Sequence, residues 1–196
     1  MKNEPVKLTN IRMITVSGRI ASGSTTLGHK LAHVLGWRHI EGGEVFWEAI
    51  RTKMGLKEKD TDLRPDREDK DFDSSLKQIL NKGENLVLET KLAGFNAQGI
   101  PGVFKIVVIC DDEKGQDKAD IRIDRLVNRE KISIDRAKEE VIEREKNDLE
   151  KWRRLYANDD QNWNYWDKNY YDLVINTYSH NRDETLKIAL EGIGYK

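Results

Sequence analysis

The chain has 196 residues, with 34 Lys and Arg against 35 Asp and Glu, giving a formal net charge of -1. That balance gives no whole-protein attraction to nucleic acid or to a membrane surface, although it leaves room for a local basic cleft. Charged residues make up 35% and the hydrophobic set 37%, and five Trp, six Tyr and four Phe supply bulky core material, so the composition is that of one globular domain. No apolar run approaches the roughly 20 residues that span a bilayer. The opening stretch Met1–Asn10 lacks an apolar signal core. The expectation is a cytoplasmic protein, monomeric or weakly dimeric, with no nucleic-acid or membrane partner.

Taken in chain order, short apolar runs alternate with longer amphipathic stretches, which predicts an α/β fold around a mostly parallel sheet. The first predicted strand is Ile11–Ser17, followed by a Gly/Ser turn and a helix Thr25–Leu35 that stops at Gly36. A strand Arg38–Glu41 and a helix Glu44–Met54 come next. Pro65 suits the first turn of a helix running to Leu80, which Gly83 closes. Strands follow at Asn85–Thr90 and Phe104–Cys110. Helices are predicted over Asp120–Glu130 and Ser133–Tyr156, with a strand at Asp172–Thr177 and a last helix over Arg182–Glu191. The last three strands read as near-continuous apolar runs, as strands covered on both faces do. Cys110 is alone and closes one of these runs, so it reads as a buried strand residue rather than a nucleophile. The stretches Lys57–Lys82 and Arg129–Arg154 look too polar for core layers; they fit solvated helix faces or mobile flaps.

The chemistry-bearing motif is the turn Gly18-Arg-Ile-Ala-Ser-Gly23-Ser-Thr-Thr26. A strand, a Gly-x4-Gly turn and a helix opening on Ser/Thr form the frame of a phosphate-binding loop. Its glycines let successive N–H groups face phosphate oxygens, and the helix N-terminus adds positive partial charge. Thr25 stands where a hydroxyl ligates Mg²⁺, and Thr26 adds a second hydroxyl. Ser24 occupies the position where such loops usually carry Lys.

Further motifs extend along the chain: Gly42-Gly-Glu-Val-Phe46, Leu86-Val-Leu-Glu89, Leu92-Ala-Gly94, Arg122-x2-Arg125-x3-Arg129-Glu130, Glu143-Arg-Glu145 and Tyr171-Asp-Leu-Val-Ile-Asn-Thr177. With Ile14-Thr-Val-Ser-Gly18 and Ser22-Gly-Ser-Thr-Thr26, this ordered series resembles the cytidylate kinase family, particularly its compact archaeal-type branch. The resemblance implies a three-layer P-loop NTPase fold with a five-stranded parallel sheet of order 2-3-1-4-5. It implies one kinase domain over 1–196, with a helical acceptor-binding insertion at about 44–82 and a lid at about 128–156. It also implies ATP and Mg²⁺ as donor, and a small-molecule nucleotide, CMP or dCMP, as acceptor. Carried over by position, Gly18, Ala21, Ser22, Gly23, Ser24, Thr25 and Thr26 would hold the ATP phosphates, with Thr25 and Glu89 on the metal. Gly43, Trp47, Arg51, Asp148 and Lys151 would contact the acceptor, and Lys91, Arg125, Arg129 and Arg144 would surround the transferring group.

Spacing supports part of this set independently, because positions 144, 148 and 151 share one helical face. Three departures fall on the acceptor side: Trp47 replaces an Arg of the family, and Lys91 and Lys151 each stand for another. Lysine keeps the charge and loses the planar fork that grips a phosphate, while an indole can stack on a ring. The arginines of 122–154, read without the family, also fit a salt-bridged surface helix. His29, His33, His39 and His180 read as structural or solvent-facing, and Trp152, Tyr156, Trp163 and Trp166 as packing near the last strand. Two alternatives stay open: a different nucleoside monophosphate or a non-nucleotide alcohol as acceptor, and a nucleotide-binding module with little turnover.

Overall fold

The computed structural model of the chain describes residues 4–54 and 64–195; in the second helix the side chains of Ile50, Arg51, Lys53 and Met54 also lie outside the description. Among the described residues, five strands form one parallel sheet of order β2-β3-β1-β4-β5. They are β1 (Met13–Gly18), β2 (Arg38–Glu41), β3 (Leu86–Glu89), β4 (Val103–Ile109) and β5 (Leu173–Asn176). The helices are α1 (Ser24–Leu35), α2 (Gly42–Met54), α3 (Asp66–Lys82), α4 (Ala93–Asn96), α5 (Ala119–Glu130), α6 (Ile134–Lys138), α7 (Glu145–Tyr156) and α8 (Arg182–Gly192). None of the described helices is long and apolar enough to cross a membrane.

Alternation along the central strands divides the core into two layers. Ile14 and Val16 of β1 and Val87 of β3 pack with Leu27, Leu31 and Leu35 of α1 and Ala189 of α8. Met13, Leu86 and Leu88 face the other way, onto Leu76 and Leu80 of α3 and Ala93 of α4. Each such fully buried side chain contributes about 1.5–3 kcal/mol of transfer free energy, so the central strands carry much of the fold. Cys110 is fully buried just past the end of β4.

Several expectations shift. Ile11 precedes β1 and makes only an isolated bridge with Leu8. The long helix predicted over Ser133–Tyr156 is α6 and α7 joined by a π-helical turn, Glu139–Arg144, which rotates the face presented by the second half. The two polar stretches also do more than cover the surface, although positions 57–63 of the first lie outside the described residues. α3 buries Asp69, Asp73, Leu76 and Leu80, and α7 buries Glu145, Asp148, Lys151 and Trp152. Charged side chains can line these interfaces because most of them are paired with one another inside them.

In a sheet of this order the chain leaves β1 toward β2 on one side, while β4 and β5 continue on the other. The crevice beyond the C-terminal strand ends at that reversal is where open α/β sheets hold ligands. The loop after β1, the start of α2 and the residues after β3 all converge there.

Candidate active site

The loop after β1 turns on two left-handed residues, Ala21 at φ 59° and Gly23 at φ 115°. Glycine accepts this geometry freely, and at Ala21 the surrounding contacts must hold it. Gly23 opens α1 without any side-chain cap, which leaves the first-turn amides free to face an anion. A Cβ on Gly18 would collide with Ser22 Oγ, so the loop closes only over glycine there. Ser22 Oγ is itself buried with no hydrogen-bond partner among the described residues.

Cations brace the outside of this loop. Arg125 donates to Thr177 Oγ1 at 2.9 Å and to the Thr177 carbonyl at 2.7 Å, and the Thr177 hydroxyl donates to the Ser22 carbonyl at 2.7 Å. Arg122, fully buried, donates to the Ile20 carbonyl at 2.8 Å and pairs with Asp117 and Glu145. Arg19 bonds Glu145 at 2.5 Å and lies 4.4 Å over the Trp166 ring. Burial would raise the Glu145 carboxyl, but Arg122 and Arg19 outweigh it and hold it below the usual range.

Ser24 faces Glu89, donating to its Oε1 at 3.0 Å. Burial pushes the Glu89 carboxyl up to about 7; the Ser24 and Thr25 hydroxyls oppose the shift and Glu41 adds to it. A hydroxyl and a buried carboxylate with no salt bridge among the described residues are hard oxygen donors, a set that suits Mg²⁺ held mainly by phosphates. Among the described residues there is no three-residue His/Cys/Asp/Glu cage, so these residues fit a phosphate-borne ion better than an all-protein site.

Three cavities meet around the loop. One of about 480 Å³ lies between Ala21–Gly23, Thr26, Leu27, Arg125, Thr177 and the start of α8. A second of about 100 Å³ is walled by Phe46, Trp47, Phe72 and Trp152. The third, about 140 Å³, is bounded by Gly18–Ala21, Gly23–Thr25, Gly43, Trp47, Glu89, Lys91, Arg129 and Arg144 and shares walls with both others. The first would suit a nucleotide base and sugar, the second a single flat ring, and the third their phosphates.

Comparison with known proteins assigns the scaffold. No protein-family model matches the chain. A cytidylate kinase of Methanosarcina mazei is 34% identical over 185 residues, covering 89% of this chain and 92% of the relative. A cytidylate kinase of Methanosarcina acetivorans is 33% identical over 181 residues, with the same 89% and 92% coverage. The chain belongs to the cytidylate kinase family. Solved structures extend the fold to other P-loop kinases. A gluconokinase of Sinorhizobium meliloti superposes with TM-score 0.57 at 14% identity, over 93% of this chain and 91% of its own. A shikimate kinase of Acinetobacter baumannii gives TM-score 0.56 at 16% identity, over 95% of each chain.

Within this cytidylate kinase scaffold, Gly18, Ala21, Gly23, Ser24, Thr25, Gly43, Trp47, Glu89, Lys91, Arg129 and Arg144 all border the central cavity. Ser22, Thr26 and Arg125 border the large one. Arg129 is half-exposed and pairs with neighbouring Glu130, so its guanidinium can turn inward. Arg144 bonds Glu140 at 2.6 Å, and its buried Nε has no hydrogen-bond partner among the described residues. Lys91 donates to Asp148 at 2.7 Å. Burial lowers the Lys91 ammonium, and Asp148 counters that. Burial would raise Asp148, but Lys91, Arg144 and Arg64 hold it well below the usual carboxylate range.

Two expected acceptor contacts stand apart. Lys151 does not border these cavities; it is buried against Asp69 at 3.0 Å and donates to the Arg64 carbonyl, so its charge is consumed inside the fold. The Arg51 side chain lies outside the described residues. Trp47 is buried, with the guanidiniums of Arg64 and Arg144 at 5.1 and 5.7 Å from its ring.

Sequence reasoning missed Arg64, Asp69, Asp73, Phe46 and Phe72, all at the small cavity. One signal was available. Asp69, Asp73, Leu76 and Leu80 follow the spacing of a single helix face, so two acids occupy positions where a buried stripe would otherwise be apolar. Trp152, Tyr156, Trp163 and Trp166 pack with Leu92, Phe95 and Tyr165, in keeping with their reading as packing residues, and Trp152 also walls the cavity.

Proposed function

We propose that this chain transfers the γ-phosphoryl group of Mg²⁺-ATP to CMP or dCMP. The observation that carries the reading is the junction of a large and a small cavity over the phosphate loop, with Lys91, Arg129 and Arg144 at the meeting point. The naming of the 34%-identical relative as a cytidylate kinase supports the choice of acceptor.

Phosphoryl transfer asks for positioning and charge stabilisation more than covalent chemistry. The amides of Ala21–Thr25 bind the β-phosphate. The Thr25 hydroxyl and the Glu89 carboxylate would hold Mg²⁺, which would supply positive charge to offset that of the phosphates. Arg144 turns its Nε, which has no hydrogen-bond partner among the described residues, to the acceptor phosphate, and Lys91 adds a point charge that Asp148 positions. Arg129 swings from Glu130 onto the equatorial oxygens of the transferring group. Lys151 acts indirectly, holding the Arg64 carbonyl and Asp69. The aromatic walls exclude water from the acceptor ring.

A coupled assay of ADP formation tests this with ATP against CMP, dCMP, UMP, AMP, GMP, shikimate and gluconate. CMP and dCMP should give the highest kcat/KM, and Thr25→Ala should reduce Mg²⁺-dependent turnover at least about a hundredfold. Preference for a non-nucleotide alcohol, or full Mg²⁺-dependent activity in Thr25→Ala, would overturn the reading.

A further inference from the structure

Three carboxylates border the aromatic cavity: Asp69, Asp73 and Asp148. Asp69 is saturated, since Arg64 donates to it at 2.9 and 2.8 Å, Lys151 lies at 3.0 Å and Trp152 Nε1 donates at 3.4 Å. Asp148 is paired with Lys91 at 2.7 Å and faces Arg64 at 3.5 Å and Arg144 at 4.0 Å. Asp73 differs from both. It is 7% exposed, and its oxygens accept from Asn96 Nδ2 at 2.9 Å and from the Tyr156 hydroxyl, both neutral donors. No Lys or Arg forms an ion pair with it among the described residues.

A buried carboxylate without a cation is costly, and such groups concentrate at functional sites. A carboxylate has about four lone-pair positions, so two neutral donors orient Asp73 and leave it able to accept more. The cavity it borders holds about 100 Å³ between Phe46, Trp47, Phe72 and Trp152. Drug-sized ligands occupy pockets from about 300 Å³ upward, so this space admits one flat ring and not a fused pair.

We propose that Asp73 is the residue that reads the acceptor base, accepting a hydrogen bond from an exocyclic amine and so selecting cytosine over uracil. The amine of cytosine is a donor, whereas uracil offers a carbonyl at the same ring position and would set acceptor against acceptor. Tyr156 and Asn96, from α7 and α4, fix the direction of the carboxylate. Asp69 and Asp148 keep their charges on Arg64, Lys151 and Lys91 and take no part in choosing the base. The inference rests on the acceptor being a nucleoside monophosphate.

The test compares kcat/KM for CMP and UMP, with AMP as a size control, in the wild-type protein, Asp73→Asn and Tyr156→Phe. Melting temperature is followed in each. Wild type should favour CMP over UMP by about tenfold or more, and AMP should be poorer than CMP. Asp73→Asn supplies an N–H that can meet a carbonyl, so its CMP:UMP ratio should fall about tenfold. A purely structural role would depress both substrates together and leave the ratio alone. Tyr156→Phe keeps the ring while releasing the carboxylate, and should lower the ratio about threefold; this variant decides the matter if Asp73→Asn does not fold. Equal wild-type use of CMP and UMP, or an unchanged ratio in a folded variant, overturns the inference while leaving nucleoside monophosphate kinase activity in place. Absence of turnover with every nucleoside monophosphate would instead remove the functional reading beneath it.

Discussion

The Glu89 carboxyl, buried at the end of β3, is pushed up to about 7, first by burial and further by Glu41. Between its ordinary value of 4.5 and 7 the folded chain binds more protons than the unfolded one, so this group's contribution to stability falls as pH rises through that window. The displacement corresponds to about 3 kcal/mol once pH exceeds 8. His39 acts in the opposite sense. Burial, with His29 beside it, lowers its imidazole to about 4, so its contribution is complete above 6.5 and is lost as pH falls toward 4. The wild-type curve therefore mixes two opposed slopes, and Glu89→Gln separates them. In ligand-free denaturant unfolding between pH 5 and 8, Glu89→Gln should gain on the wild type by about 2 to 3 kcal/mol as pH rises. Parallel curves for the two proteins would mean that Glu89 is not held in a costly charged state.

At the scale of elements, the segment from α5 to α7 divides in two. α7 is anchored by Glu145, Asp148, Lys151 and Trp152, all buried. The stretch before it is held by Ala137 and Val141 and by an Arg136–Glu140–Arg144 ladder near the surface. Pairs one helical turn apart contribute only about 0.3–0.5 kcal/mol each where solvent reaches them, as it partly does here, so opening should be confined to Arg129–Arg144. Hydrogen exchange should find 145–156 protected already in the free protein, with ATP and CMP together adding protection at 129–144. Equal protection of both halves without ligand would mark the whole segment as rigid. The π-helical turn between them left no trace in a sequence of charged helix formers. The strands were legible because β3 and β4 carry near-continuous apolar runs, and the phosphate loop because its parts are contiguous. The aromatic-walled cavity was not. Its residues come from α2, Arg64, α3, the end of β3 and α7, and charge runs conceal which acids and bases pair inside the fold.

At the scale of the molecule, a net charge of -1 does not describe the cleft, where Arg19, Lys91, Arg129 and Arg144 gather with Glu41, Glu44 and Glu89 around the phosphate loop. The parallel sheet brings the ends of β1, β2 and β3, at Gly18, Glu41 and Glu89, to one edge, and Lys91, α5 and the π-helical turn bring cations to it. The large cavity and the aromatic one both share walls with this cleft, giving room for two bound molecules between which a phosphoryl group would pass. Following the label from γ-³²P-labelled ATP in the presence of CMP measures this most directly. Radioactivity should appear in CDP, with little in inorganic phosphate, and Arg144→Ala should cut the CDP signal by about a hundredfold or more. Label released only as inorganic phosphate, or CDP formed equally well by Arg144→Ala, would contradict a phosphotransferase built around this cleft.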